Sequence, residues 1–280
     1  MKIIKNAYAK INLSLDLTGI LPNGYHAINT VMQSVDLCDT VTLKTGFGGI
    51  RLACSDKTLP ADEKNTAFLA AKYFFEETQI EPDADIYIEK LIPSQAGLGG
   101  GSADAAAVLN ALNEINGYPL EYQNLLKIAL KIGADVPFMI KGGTALCLNI
   151  GEVLAQLPHF DSYIVIAKPE RGVSTRDAYS KFDRGIKIAH PDNDRVLYHF
   201  ARSEGRNALK FSLNVFEQLC DIPEGEAIKG SMLNCGAFFT SLSGSGSAYF
   251  GLFESSQEAK EAANELKSKM QFVYAGKTVS

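Results

Sequence analysis

Near its N-terminus the chain alternates strictly between hydrophobic and polar residues. Ile11, Leu13, Leu15 and Leu17 would face one side of a strand, with polar residues on the other side. This period of two predicts a β-strand over 11–18 with one buried face. Runs of apolar and β-branched residues predict further strands at 28–37, 39–45, 50–54, 86–88, 144–149, 163–168, 237–241, 247–253 and 272–275.

Helical periodicity appears between these strands, without a regular alternation of strand and helix. Apolar residues three and four apart predict a helix over 64–78, with Asn65 or Thr66 as its N-cap. An alanine-rich helix follows a run of glycines and ends near Ile115, before Gly117. Other helices are predicted at 121–132, 174–182, 193–203, 208–220 and 256–269. The mixture predicts an α+β protein rather than a doubly wound sheet, with one domain at 1–155 and a second at 156–280.

The composition is that of a folded protein with little affinity for nucleic acid. Hydrophobic residues make up 46% of the 280 residues, enough for a sizeable core. Lys and Arg number 27 against 32 Asp and Glu, and this net charge of −5 argues against a broad basic face. No apolar run has the length of a membrane span, and the first residues do not resemble a signal peptide. We therefore expect a cytoplasmic protein that binds neither nucleic acid nor membrane.

Cysteines and histidines do not have the spacing of a metal site. The five cysteines include no CxxC pair, and the four histidines form neither HxxxH nor HExxH. This pattern favours free thiols in a reducing compartment. We expect no metal ion held by a cluster of protein ligands.

A glycine-rich loop before the alanine-rich helix is the strongest chemical signal. Four of the five residues at 97–101 are glycines, which let backbone N–H groups approach an anion at the helix N-terminus. The Walker A, GxGxxG and GxSxG patterns all fail to match, which argues against P-loop kinases, dinucleotide enzymes and serine hydrolases. A second small-residue loop at 241–247 would brace the first loop, contact phosphate or form an ordinary hairpin.

Two charged residues lie in apolar surroundings. Lys10 opens the strand at 11–18, so its ammonium can face a cleft, although lysines at strand ends are usually solvated. Asp135 lies in the apolar segment 133–138, and a buried carboxylate needs hydrogen bonds, a cation or a function. An Asx-turn is the ordinary structural role for such an aspartate.

Taken together, these motifs resemble the GHMP kinase superfamily. The resemblance is carried, in order, by Ala9-Lys10-Ile11-Asn12-Leu13, Asn23-Gly24-Tyr25-His26, Gly97-Leu98-Gly99-Gly100-Gly101-Ser102, Gly133-Ala134-Asp135-Val136-Pro137-Phe138 and Ser243-Gly244-Ser245-Gly246. Of the superfamily loop Pro-x-x-x-Gly-Leu-Gly-x-Ser-Ser-Ala, the chain has Pro93, Gly97-Leu98-Gly99 and Ser102-Ala103, and it departs from its relatives in the variable part, 94–96. The resemblance implies a two-domain GHMP kinase fold with the active site in the cleft between domains.

The resemblance also implies an enzyme that transfers a phosphoryl group from ATP to an alcohol. ATP would be bound by Pro93, Ser94, Gln95, Ala96, Gly97, Leu98, Gly99, Gly100, Gly101, Ser102 and Ala103. Lys10 and Asp135 would be the catalytic pair, with Asp135 accepting the proton of the hydroxyl. Lys10 would keep Asp135 ionised and stabilise the transferring phosphoryl group. Mg²⁺ would be bound mainly through ATP.

The motif around Tyr25 is similar to that of superfamily members whose alcohol carries a cytidine diphosphate group. Asn12, Tyr25, His26 and Tyr179 would bind this substrate. Tyr25 and His26 would offer a stacking face and a ring nitrogen, and Tyr179 the opposite face. Two alternatives stay open. One is a homoserine- or mevalonate-type kinase, which would not need the Asn-Gly-Tyr-His motif, and the other is a non-catalytic nucleotide-binding regulator on the same fold.

Overall fold

The computed structural model consists of two units that are built from interleaved segments of the chain. The first unit contains Met1–Ala9, Leu37–Ile92 and Gly99–Gly142, and the second contains Lys10–Asp36, Pro93–Leu98 and Gly143–Ser280. Two long strands, β1 (Lys2–Ile20) and β2 (His26–Lys44), contribute residues to both units. The predicted domains, 1–155 and 156–280, are each one continuous stretch of chain. This division stays a prediction.

The structure describes residues 1–22, 24–151, 153–173 and 175–280, and only the backbone at 175 and 176. Asn23, which belongs to the motif at 23–26, therefore lies outside the described residues.

The first unit combines strands with helices that pack against each other. Besides parts of β1 and β2, its elements are β3 (Gly49–Cys54), α1 (Thr66–Thr78), β4 (Asp83–Glu89), α2 (Gly100–Ile115), α3 (Tyr122–Ile132) and α4 (Val136–Lys141). β4 pairs in parallel with β3 and antiparallel with β2. α1 packs against α2 and buries Phe74 and Phe75, as its helical spacing predicts. The predicted N-cap is confirmed, because the Asn65 side chain accepts a hydrogen bond of 2.9 Å from the N–H of Ala67.

The second unit contains an antiparallel sheet with the strand order β10–β7–β9–β8. Its elements are β5 (Thr144–Asn149), β6 (Val153–Gln156), β7 (Tyr163–Lys168), α5 (Thr175–Asp183), α6 (Asn193–Ala201), α7 (Gly205–Ala208), a 3-10 turn (Leu209–Phe211), α8 (Phe216–Leu219), α9 (Gly225–Asn234), β8 (Phe239–Leu242), β9 (Tyr249–Phe253), α10 (Ser256–Lys267) and β10 (Phe272–Lys277). α10 packs on β7 and β10. The apolar core includes Leu15, Val165, Met232 and Phe253.

The strand predicted at 11–18 is correct in position, but the expectation of a single buried face is wrong. All residues from Ala9 to Leu17 are buried, including the polar residues Asn12, Ser14 and Asp16. Their side chains form hydrogen bonds with distant parts of the chain, so these polar groups are satisfied without water. The predicted strands at 28–37 and 39–45 form one continuous strand, β2.

The helix predicted over 208–220 is wrong. The chain there is divided among α7, the 3-10 turn and α8, with an extended segment in between. This segment is fixed by β1, because the N–H of Leu15 donates to the carbonyl of Leu213 and the N–H of Val215 donates to the carbonyl of Leu15. Backbone pairing with a distant strand thus overrides the helical spacing. The pattern also missed α4, β6 and α9.

Candidate active site

Lys10 is buried in the second unit and does not have the solvated position that is usual for a lysine at a strand end. Its Nζ donates a hydrogen bond of 2.7 Å to Oδ1 of Asn12. The Asn12 amide donates in turn to the hydroxyl of Thr30 at 2.8 Å, and that hydroxyl donates to the carbonyl of Ser14 at 2.6 Å. Asn12 is therefore fixed with its oxygen towards Lys10, and it keeps one amide hydrogen for another acceptor.

The second small-residue loop, at 241–247, braces both Asn12 and the glycine-rich loop. The N–H of Gly244 donates to Oδ1 of Asn12 at 2.9 Å, and the Ser243 hydroxyl donates to the carbonyl of Gly97 at 2.9 Å. The N–H of Ala248 donates to the carbonyl of Ala96 at 3.2 Å. Of the roles open for this loop, the geometry favours bracing.

Gly97 requires glycine for two reasons. Its φ is +73°, in the left-handed region, and a Cβ at this position would overlap the carbonyl oxygen of Ser243. The sequence shows a glycine here but gives no sign of this close contact with a residue 146 positions away.

Two residues that sequence reasoning missed, one buried and one half-buried, hold the second loop. The Asn214 amide donates to the carbonyls of Leu242 and Gly244, at 2.7 and 2.8 Å. Glu217 accepts from the Ser241 hydroxyl and from the N–H of Leu242, both at 2.8 Å. Asn214 lies in the extended segment that pairs with β1, so the failed helix prediction at 208–220 concealed its role.

The predicted ATP-binding residues form the N-terminus of α2 and the segment that leads to it. Gly99 is the N-cap in a left-handed conformation with φ of 71°, and Gly100 to Ala103 form the first turn. The first N–H groups of a helix have no acceptor within the helix and carry partial positive charge. Pro93 to Leu98 precede this turn, and the carbonyl of Leu98 accepts from the N–H of Lys10 at 3.0 Å. The arrangement suits a phosphate group.

Asp135 and Ser102 both lie in the first unit. Asp135 is half-buried at the start of α4 and makes no capping hydrogen bond through its side chain. A Cβ on Gly133, two residues earlier, would lie 3.9 Å from the Ser102 hydroxyl. The start of α2 therefore faces the turn that leads into Asp135.

A buried ionic cluster, which the sequence analysis did not single out, lies beneath the start of α2. Its members are Asp39 of β2, Lys90 after β4 and Asp104 of α2, and we call it the Asp39–Lys90–Asp104 cluster. The Lys90 Nζ lies 2.5 Å from a carboxylate oxygen of each aspartate. The second oxygen of Asp104, Oδ1, is buried and has no hydrogen-bond partner.

The charged groups of this cluster shift one another's pKa values. Burial raises the pKa of Asp104 to about 7; Lys90 opposes this increase and Asp39 adds to it. Burial lowers the pKa of Lys90, but the attraction of the two carboxylates outweighs burial and the pKa is raised. Lys90 is therefore positively charged, and Asp104 titrates near neutral pH.

Three of the aromatic and polar residues near the motif at 23–26 are in contact. The His26 ring stacks on Tyr179 with centroids 4.4 Å apart, and its Nε2 lies 2.6 Å from Oδ1 of Asp183. At that separation the rings touch, so a base does not fit between His26 and Tyr179 in this conformation. Tyr25 is exposed. Ser174, at the start of the predicted segment containing Tyr179, lies outside the described residues.

In the described ranges, no group of three or more His, Cys, Asp or Glu residues is arranged to hold a metal ion. None of the helices in these ranges is long and apolar enough to cross a membrane. All five cysteines are free thiols.

Comparison with known proteins identifies the class. Residues 65–143 match the model of the GHMP kinases N terminal domain, and residues 205–271 match that of the GHMP kinases C terminal domain. Together with relatives that match over the whole chain, this shows that the chain belongs to the GHMP kinase family. The predicted α+β class and GHMP kinase fold are confirmed.

Within this family, several relatives that match over nearly the whole chain share one name. The 4-diphosphocytidyl-2-C-methyl-D-erythritol kinase of Clostridium tetani is 42% identical, covering 100% of both chains. That of Clostridium botulinum strain Eklund 17B is 39% identical, over 98% of this chain and 99% of the relative. A crystal structure of 4-(cytidine 5'-diphospho)-2C-methyl-D-erythritol kinase matches with a TM-score of 0.81 and 30% identity, over 99% of this chain and 100% of the other. A homoserine kinase from Cytophaga hutchinsonii, at 24% identity and a TM-score of 0.73 over 98% and 94% of the two chains, shares the fold.

Proposed function

We propose that the protein is an ATP-dependent kinase that phosphorylates the 2-hydroxyl of 4-diphosphocytidyl-2-C-methyl-D-erythritol, a step of non-mevalonate isoprenoid precursor biosynthesis. The observation that carries this proposal is the identity of 42% to a kinase named for this substrate, over the full length of both chains. A mevalonate kinase structure of similar fold is only 14% identical. This contrast favours the cytidine-linked alcohol over the substrates of the more distant relatives.

ATP is bound, in this proposal, by the residues from Pro93 to Ala103. The support is the position of Gly99 to Ser102 at the start of the 16-residue helix α2, where backbone N–H groups and the helix dipole favour a phosphate. The bracing of Ala96 and Gly97 by the second loop also reduces the conformational freedom that a ligand would otherwise have to remove.

Lys10 and Asp135 act on the same hydroxyl in the proposed reaction. Asp135 takes the proton as the hydroxyl oxygen bonds to the γ-phosphorus of ATP, and the bond from that phosphorus to the leaving ADP oxygen breaks. Lys10 stabilises the negative charge on the transferring group. The support for Lys10 is its fixed ammonium, which Asn12 orients within a buried hydrogen-bond chain.

The residues that the structure describes do not build a metal site of their own. Mg²⁺ prefers oxygen ligands and usually retains water and substrate phosphates as ligands. The donor set therefore suits Mg²⁺ carried by ATP, and no step of the reaction depends on a protein ligand to the metal.

The cytidine group is recognised, in this proposal, next to the His26–Tyr179 pair. Because these rings already stack on each other, a base would stack on an outer face of the pair or on Tyr25. Nε2 of His26 is hydrogen-bonded to Asp183, so Nδ1 is the ring nitrogen that can form a hydrogen bond with the edge of the base. Asn12 is fully buried, so its part in this proposal is to orient Lys10 for the substrate.

The substrate proposal is tested by measuring ADP release with the purified full chain. The alcohols to compare are the cytidine-linked substrate, methylerythritol phosphate without its nucleotide, homoserine and mevalonate. We expect kcat/KM for the cytidine-linked alcohol to exceed that for the others by about 5- to 150-fold, because base stacking contributes about 1–3 kcal/mol. Equal efficiency with methylerythritol phosphate would contradict the proposed substrate. Activity with homoserine alone would show instead that the protein is a homoserine-type kinase.

A further inference from the structure

The Asp39–Lys90–Asp104 cluster bonds to the chain just before the glycine-rich loop and includes a residue just after it. On the entry side, Oδ1 of Asp39 accepts hydrogen bonds from the N–H groups of Leu91 and Ile92, at 2.5 and 2.8 Å. These residues immediately precede Pro93. On the exit side, Asp104 lies in the second turn of α2, just beyond the last predicted ATP-binding residue.

Lys90 links the two sides. Its Nζ donates to Oδ2 of Asp39 and to Oδ2 of Asp104, both at 2.5 Å. A Cβ on Gly100 would lie 3.6 Å from this Nζ, so the ammonium lies directly beneath the first residue of α2. Asp39 is fully buried and Asp104 nearly so, and water therefore weakens these bonds little.

We propose that Asp39, Lys90 and Asp104 are positioning residues that clamp the two ends of the ATP-binding loop and hold it ready for the nucleotide. The inference rests on the proposed function, because it assumes that this loop binds ATP. None of the three residues needs to contact ATP. Their effect is that the loop loses less conformational entropy when the phosphates bind.

A structural purpose alone explains this cluster poorly. Burying one ammonium with two carboxylates is costly, and an apolar replacement of similar volume is often neutral or stabilising. Oδ1 of Asp104 is in addition buried without a partner, which is a further cost. Such a cluster is better explained by the geometry that it imposes on the chain segments bonded to it.

The test replaces the linking pair by apolar residues of similar size, in the double variant Lys90→Met/Asp104→Leu. This variant keeps Asp39 and its bonds to Leu91 and Ile92. A matched control is the ion pair between Lys5 of β1 and Glu114, which lies near the opposite end of α2. The control variant, Lys5→Met/Glu114→Leu, removes a half-exposed lysine–carboxylate pair that lies at the other end of α2 from the loop.

We expect the clamp variant to bind ATP at least about tenfold more weakly by calorimetry, because freeing even one loop residue costs about that factor. KM for ATP should rise, while KM for the alcohol stays within about twofold. Amides at 91–104 should exchange hydrogen faster than in the wild type. The control variant should match the wild type in all three measurements. A folded clamp variant with wild-type ATP affinity and exchange would overturn the inference.

The wild type provides a second test that does not depend on the folding of any variant. Without nucleotide, the amides of Leu91 and Ile92 should exchange slowly, whereas those of Phe47 and Gly48 in an exposed turn provide the comparison for a surface hydrogen bond. Exchange at 91–92 as fast as at 47–48 would mean that no clamp exists. ATP affinity and exchange are independent of the alcohol, so a wrong substrate proposal would leave these results unchanged. A wild type that binds no ATP would overturn both.

Discussion

Replacing Asp104 by asparagine should make the stability of the protein depend less on pH. Burial raises the pKa of Asp104 to about 7, compared with 3.8 for an ordinary aspartate. The folded protein thus holds a proton that the unfolded chain releases at lower pH. The stability that this proton contributes is fully present below about pH 4 and is lost as the pH rises through 7.

The expected magnitude follows from the difference between these two pKa values. Each pKa unit corresponds to 1.36 kcal/mol, so the shift corresponds to about 4 kcal/mol in total, of which about 3 kcal/mol falls between pH 5 and pH 8. This is an upper limit, because the surroundings of Asp104 can rearrange as the carboxylate ionises. Asparagine keeps the shape and still accepts a hydrogen bond from Lys90. We therefore expect the unfolding free energy of Asp104→Asn, relative to the wild type, to rise by about 1–3 kcal/mol from pH 5 to pH 8.

The assay is urea unfolding followed by circular dichroism at several pH values between 5 and 8. A suitable control is Asp83→Asn. Hydrogen bonds from the N–H groups of Phe47, Gly46 and Gly48 lower the pKa of this half-buried aspartate, so it stays ionised in folded and unfolded chains throughout the range. Its effect on stability should be the same at each pH. An equally constant difference for Asp104→Asn would refute the assigned protonation.

Three predictions concern activity. Asp135→Asn should lower kcat by about 10²–10⁴ with little change in ATP affinity, because the base is lost and the shape is kept; a variant with nearly full kcat would remove Asp135 as the base. Gly101→Val should weaken ATP binding in a titration of the folded protein, because a branched side chain blocks approach to the backbone, and unchanged affinity would make the loop a mere connector. His26→Ala should raise KM for the cytidine-linked alcohol more than KM for ATP, and equal effects on both would argue against base recognition by His26.

Elements with strong local signals were predicted from the sequence. The strand at 11–18 and the helix capped by Asn65 were found because a period and a capping residue are properties of neighbouring positions. The burial of the polar face of β1 was not predictable in this way. Asp16, for example, accepts hydrogen bonds from His190 and Asn193, more than 170 residues away. A local pattern assigns a polar residue to solvent unless the distant partner is known.

In the candidate site, too, residues with an unusual local context could be predicted, and residues defined by a distant partner could not. Gly97 and Lys10 stand out in the sequence because glycine before a helix and a lysine among apolar residues are unusual. Lys90 and Asp39 do not stand out, because a charged residue near the end of a strand is ordinarily a surface residue. Only the pairing of β2 with β4 brings Asp39 opposite the end of that strand. Their partnership is therefore a consequence of topology.

These contacts indicate how the proposed ATP-binding loop can be rich in glycine and still be ordered. Glycine permits the close approach of backbone N–H groups to phosphate, but it also gives the unbound chain the greatest freedom. In the second unit, the close contact of Gly97 with Ser243 restricts that freedom. In the first unit, Asp39 and Lys90 restrict the residues that enter the loop. The glycines thus supply access and the buried polar side chains supply order, which is why substitutions at Lys90 should affect ATP binding without any contact to the nucleotide.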